Sequence, residues 1–266
     1  MHSEYSFQER SVSHARTLVI DAGYLANKRH VIYGMLEADV TAAKERINAI
    51  AASSNKLSFT AYIVACIGRA VAEHPAIHGY QGRNKKLVLF DDVDIVVMIE
   101  AEKGATAFPH IVRRANLRSV EDISNEIRHV QTKCTESNQN YDQKKTKLFT
   151  RLPRWMRMII YRHIRKNPET IRKMQGTVIV TSTGMMAAGR GGWGLAFLPM
   201  HTLGLTLGGM QKKPAVVTKE DGTDGIEIRS FLSITLAFDH DIVDGAPATR
   251  FAACLVNMIE SGRLLS

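Results

Sequence analysis

The chain has 266 residues, 45% of them apolar, which suits one large domain or two small ones. No apolar run is long enough to span a bilayer, and the start, Met1 to Arg10, is polar with no signal-peptide core, so the sequence reads as a cytoplasmic protein. The net charge is +9, and the stretch from Tyr141 to Lys173 alone holds eleven Lys or Arg against two acids, the whole of that excess. This points to one local basic element and away from a nucleic-acid binder.

The first eleven residues, 1–11, read as a flexible tail, and 12–266 as one unit. Val31 to Val40 alternates like a strand. Thr41 to Ala52 reads as a helix with Thr41 as its cap. Phe59 to Glu73 is a longer helix, ended by His74-Pro75. Lys86 to Phe90 and Asp94 to Glu100 read as strands. Ser119 to Lys133 reads as a helix, since Ser119-Val120-Glu121-Asp122 offers a capping signature. Thr177 to Thr181, Gly204 to Gly208 and Phe231 to Phe238 read as strands, and Pro247 to Ser261 as the last helix. Strands and helices mix throughout without an internal repeat, the pattern of a single α/β domain. The three cysteines, Cys66, Cys134 and Cys254, show no CxxC spacing, so a disulfide framework or zinc site is not expected. Cys66 and Cys254 fall in apolar helical patterns and read as buried thiols.

The densest chemistry lies at Phe238-Asp239-His240-Asp241-Ile242-Val243-Asp244-Gly245. A strand precedes it and a helix follows, so His240 is expected where a rigid strand gives way to a loop. An imidazole beside a carboxylate suits general-base work near neutral pH. An ordinary loop histidine bonded to the backbone is the competing reading. By spacing alone, Asp244 would orient His240 as in a catalytic triad. Gly245 permits the tight turn into the last helix.

DHxxxDGA after a strand, near the C-terminus, resembles the active-site motif of the dihydrolipoamide acyltransferases, the catalytic cores of the 2-oxo acid dehydrogenase complexes. Chloramphenicol acetyltransferase shares their fold. The segment Lys56 to Ile63 resembles the start of that family's first long core helix. Phe90 to Ile95 resembles the strand before its central segment, and Gly176 to Met185 a strand and turn ending in Gly-Met. The resemblance covers about 12–264. It implies a chloramphenicol acetyltransferase-like α/β sandwich with a mixed sheet covered by helices, a homotrimer that can assemble further, and active sites between subunits. It also implies coenzyme A or acyl-CoA as substrate, with no tightly bound cofactor and no metal.

The resemblance gives roles to residues. His240 takes the thiol proton. Asp244 forms a structural ion pair with Arg16, Lys28 or Arg29. Thr181, or Ser182 beside it, supplies the hydroxyl for the oxyanion. The family's usual basic residue after the histidine is here Asp241, which sets three acids around one imidazole. The glycine-rich loop resembles a substrate-facing one: Gly191 and Gly192 would let the backbone approach a pantetheine arm, and Trp193 would pack on it. A plain connection is the alternative there. The family's lipoyl domain and Pro/Ala-rich linker have no counterpart in this sequence, so a separate lipoyl or acyl-carrier protein is the expected partner. The implied function is acyl transfer between coenzyme A and a thiol such as dihydrolipoamide. The alternatives are a catalytically silent trimeric scaffold and an acyltransferase acting on a small-molecule alcohol or amine.

The basic segment 151–166 interleaves apolar and charged residues, including Trp155 and Tyr161. As a helix it is amphipathic. It reads as a surface for anionic membrane, as a docking face for an acidic partner, or as a core-packed helix with a solvated Arg face.

Overall fold

The computed structural model describes residues 8–9, 11–53, 57–82, 86–99, 108–137, 143–183 and 189–265. Most of the expected tail, and Gly184 to Ala188 with the Gly-Met turn, lie outside them. The strands are β1 (Val31–Asp39), β2 (Tyr80–Gln81), β3 (Leu87–Val88), β4 (Ile95–Ile99), β5 (Phe108–Val112), β6 (Val178–Ser182), β7 (Leu203–Thr218) and β8 (Asp224–Asp239). Six of them form a mixed sheet in the order β1-β8-β7-β6-β4-β5, and β2 pairs with β3 apart from it. Contacts with β1, β8 and β7 are antiparallel, β7-β6-β4 run parallel, and β5 returns antiparallel.

The helices are α1 (His14–Ala26), α2 (Thr41–Ser53), α3 (Phe59–Glu73), α4 (Val120–Ser137), α5 (Gln143–Arg151), α6 (Arg154–Arg165), α7 (Pro168–Gln175) and α8 (Gly245–Ser261). Alternation along β8 sends Leu232, Ile234, Leu236 and Phe238 into one core with residues of α2, α3, α4 and α8. α3 is buried all round from Ala61 to Gly68, as a helix between sheet and outer helices must be. Ser58 caps it by accepting the Ala61 N–H at 3.4 Å, and the Pro at position 75 keeps His74 out of helical geometry (φ −130°, ψ 62°).

On the other sheet face Ser233, Thr235, Ala237 and Asp239 are also buried. There the segment after Gly189 lies on the sheet: the Gly192 N–H donates to Ser233 Oγ, and the indole N–H of Trp193 donates to the Leu36 carbonyl. Asp94 ties α7 to the sheet. Its buried carboxylate accepts from Arg113, Arg172 and the Arg114 N–H at 2.9–3.0 Å. Burial is the largest influence and raises its pKa, but these donors together outweigh it and hold the carboxyl below its ordinary value.

Several expectations need correction. Thr41 does not cap α2: Asp39 Oδ1 accepts both its N–H and its hydroxyl, and the Thr41 hydroxyl accepts from the Ser230 N–H. Cys254 is half-buried, since it lies on the outer flank of α8. The strand expected over Lys86 to Phe90 is only β3. β7 and β8 run far beyond the expected spans, because their outer halves pair as a hairpin, Lys212↔Ser230 through Thr218↔Asp224, without core burial to mark them. α1, β5 and α7 were not expected at all.

The basic segment is α6 with the end of α5, and it splits by face. Arg157 is buried and grips Asp21 of α1 with two bonds, Nε to Oδ2 at 2.6 Å and Nη2 to Oδ1 at 3.0 Å. It therefore does not belong to a solvated Arg face. Arg154 lies over the Tyr24 ring of α1 at 4.2 Å. Trp155 and Ile159 point outward, 65% and 59% exposed.

Candidate active site

His240 stands one residue beyond β8, and its N–H donates to the His30 carbonyl at 2.7 Å, where β1 begins. The imidazole is partly exposed. Its Nδ1 lies 3.0 Å from the Val243 carbonyl oxygen. A carbonyl only accepts, so Nδ1 carries a proton, and in the neutral ring the lone pair stands on Nε2. Asp244 Oδ1 is 3.8 Å from Nδ1, beyond hydrogen-bond reach, and its side chain is 87% exposed. A loop carbonyl, not a triad carboxylate, thus sets the tautomer.

The three acids around the imidazole are placed differently from expectation. Asp239 is buried against Arg29, which therefore does not pair with Asp244. Asp241 binds His30 Nδ1 at 2.8 Å. That hydrogen bond, and the carboxylate charge behind it, raise the pKa of His30. Asp244 keeps its position before α8, where the backbone carbonyl of Asp244 accepts the Ala248 N–H. Gly245 opens α8 with no atom within contact distance of where a Cβ would stand, so the chain turns there without a steric demand for glycine.

Beside this loop opens a cavity of about 590 Å³, lined by Asp239, Asp241 and Ile242 on one side. Lys28, Arg165 and Lys166 line it as well. With Arg29 committed to Asp239, the cations from α6 and from the turn after α1 give the cavity a positive rim. The sequence showed one basic stretch, and Lys28 and Arg29 only as candidate partners of Asp244; folding brings them to one opening.

Thr181 and Ser182 are half-buried at the end of β6. Val178 and Val180 face the core, so Thr181 faces the opposite side, in one row with Thr206 and Thr235. Thr235 Oγ1 is buried without a partner among the described residues. The structure does not bring Thr181 to His240. Thr181 shares a row with Thr235, two strands and four residues from Asp239. At about 4.8 Å per strand and 3.3 Å per residue, that is about 16 Å.

The glycine-rich loop runs over this same sheet face. Gly191 N–H donates to Gln211 Oε1 at 3.1 Å. The Gly192 carbonyl accepts the Gly209 N–H at 3.0 Å, at the irregularity between Leu207 and Met210. A Cβ on Gly208 would collide with that carbonyl, so glycine is required there for the loop to reach the strand. The Trp193 indole is 44% exposed while its N–H is tied to β1. One flat side of this loop is thus fixed and the other is open.

The family of 2-oxoacid dehydrogenases acyltransferase (catalytic domain) matches residues 27–150 and 160–266. The dihydrolipoyllysine-residue acetyltransferase component of the pyruvate dehydrogenase complex of Mycoplasma genitalium is 27% identical over 220 residues, covering 82% of this chain and 47% of that protein. The corresponding component of Corynebacterium glutamicum is 42% identical over 57 residues, 21% of this chain and 8% of that protein. The chain thus spans about half the length, or less, of these curated relatives. Among solved structures, the dihydrolipoamide acetyltransferase of Azotobacter vinelandii superposes with a TM-score of 0.72 at 15% identity, covering 98% of this chain and 95% of that one. A chloramphenicol acetyltransferase does so at 0.53 and 13% identity, covering 90% and 94%. At these identities the likeness establishes the fold, the expected chloramphenicol acetyltransferase-like sandwich. The family match covers most of the chain, and by it this protein belongs to the 2-oxoacid dehydrogenase acyltransferase catalytic-domain family.

Proposed function

We propose that the chain transfers an acyl group between coenzyme A and a thiol such as that of dihydrolipoamide. The observation that carries this is His240, with Nδ1 held by the Val243 carbonyl and Nε2 without a partner among the described residues, in the loop whose Asp239, Asp241 and Ile242 line the cationic cavity. Nε2 takes the proton of the attacking thiol as its sulfur bonds to the acyl carbonyl carbon. The tetrahedral oxyanion accepts a hydrogen bond from the Thr181 hydroxyl, or from Ser182, of a neighbouring subunit. Collapse breaks the bond to the departing sulfur, and the imidazolium returns the proton to it. Lys28, Arg165 and Lys166 hold the phosphates of coenzyme A, which comes and goes as substrate. Gly191, Gly192 and Trp193 line the path of the pantetheine arm, and Asp244 with Gly245 shapes the loop. The working unit is 12–266.

The working assembly is a homotrimer or a larger array of trimers in the cytoplasm. Two features support this. The about 16 Å between Thr181 and Asp239 leaves a single chain without a complete site. The hairpin formed by the outer halves of β7 and β8 also holds Val216, Ile226 and Ile228 at 70–79% exposure, and an isolated two-stranded hairpin is marginal in water. The outward face of α6, with Trp155 and Ile159 among Arg154 and Arg162, suits an acidic carrier protein that delivers the acyl group. The deciding experiment offers a panel of acyl-CoA donors to free dihydrolipoamide and follows release of the coenzyme A thiol. Turnover that depends on dihydrolipoamide supports thiol chemistry. Turnover only with alcohols or amines, or with no acceptor tried, removes it.

A further inference from the structure

Glu73 and His74 end α3, and Cys254 lies on α8, 180 residues away in sequence. One ligand atom from each, a carboxylate oxygen, a ring nitrogen and the sulfur, all lie within 4.8 Å of one another. Cys254 Sγ is already 3.2 Å from Glu73 Oε2. The His74 ring is held in place, edge-on to Phe251 with centroids 6.1 Å apart. The helix ends at His74, and this lets two consecutive residues turn toward the same partner. None of these residues takes part in the acyl-transfer scheme.

We propose that Glu73, His74 and Cys254 bind a divalent transition ion of the zinc type. Bonds of about 2.3 Å to sulfur and about 2.0–2.2 Å to nitrogen or oxygen set tetrahedral donors about 3.3–3.7 Å apart. From separations of up to 4.8 Å, the three atoms need to close by at most about 1.5 Å to meet that geometry. One thiolate, one neutral imidazole and one carboxylate suit an ion of borderline softness, and two anionic ligands neutralise its charge. The ion displaces the thiol proton to solvent, and water fills the fourth position. The bound ion clamps the end of α3 to the middle of α8. From there contact continues to the base: Phe251 packs edge-on against Phe238, two residues before His240. The role that follows is structural, a cross-link that stiffens the scaffold of the His240 loop.

The test uses the untagged full chain, stripped with a chelator, and follows cobalt(II) and zinc titrations. Cobalt should bind one ion per chain with a thiolate-to-metal charge-transfer band in the near ultraviolet, and zinc should displace it. Zinc should raise the melting temperature by several degrees. Partners outside the ligand shell are worth about 10–100-fold in metal affinity, so Cys254→Ala should lower it by at least about a hundredfold. Glu73→Gln, at an exposed position, should weaken it while leaving the fold intact. Absence of the charge-transfer band, or the same band and the same thermal shift in Cys254→Ala, would overturn the assignment. So would binding only at millimolar metal.

Discussion

The separation of Thr181 from His240 can be tested by mixing two inactive proteins. His240→Ala lacks the base, a loss worth about 10²–10⁴ in rate. Thr181→Ala lacks the oxyanion donor, a loss of about 10²–10³. Each chain then has one defect and one intact group. If each site takes His240 from one subunit and Thr181 from the next, a site is complete only when a Thr181→Ala chain provides the base and a His240→Ala chain provides the hydroxyl. Random reassembly of equal amounts into trimers gives that arrangement at about one quarter of the sites. The mixture should therefore recover about a quarter of wild-type activity, far above about 1% in either parent. The assay dissociates the two proteins together, reassembles them, confirms the trimer mass by light scattering and follows acyl transfer. Activity no greater than the average of the parents would mean that the two groups serve one chain. That result would refute the reasoning drawn from the strand register.

On its own, His240→Ala should fold normally and lose at least about a hundredfold in acyl transfer; unchanged turnover would remove it as the base. Replacing Arg154 and Arg162 with Gln should weaken capture of an acidic carrier domain, most visibly at low salt, since exposed charges are screened within about 8 Å at physiological ionic strength. Their effect on thermal stability should be small, and salt-sensitive binding of the wild type to anionic vesicles alone would favour a membrane surface instead. Arg157→Gln should behave differently, because it strands the buried Asp21 carboxylate and costs about 3–5 kcal/mol in urea unfolding. Stability should also fall on acidification: burial pushes His78 and His201 down from 6.5 to about 4. The unfolded chain takes up protons below its histidine pKa that the folded chain refuses, so stability present above pH 6.5 is lost as pH falls toward 4, at about 3 kcal/mol for each residue. His201→Gln should flatten that slope between pH 7 and 4.5, and an unchanged slope would remove its share.

What the sequence determined by itself is local. α3 was legible because apolar continuity and a proline stop act within a few residues of the chain; its Ser58 cap was added by the structure. The position of His240 at a strand end followed from the β-rich run before it and the helical period after it. Local spacing misled where partners come from elsewhere. Asp244 lies four residues from His240, yet the ring's Nδ1 turns to the Val243 carbonyl, and Arg29 and His30 arrive from the turn that leads into β1 to take Asp239 and Asp241. Amphipathic charge in α6 could not reveal that Arg157 faces inward, because the acid that draws it there is Asp21, 136 residues earlier. The outer halves of β7 and β8 reach no core; β7 alternates there only between half-buried and exposed, and hairpin pairing sets their length. The cationic cavity, the distance between Thr181 and His240, and the meeting of Glu73, His74 and Cys254 are decided only in the tertiary structure. Each depends on which strands and helices become neighbours, and that is settled by packing one continuous core rather than by any local run of residues.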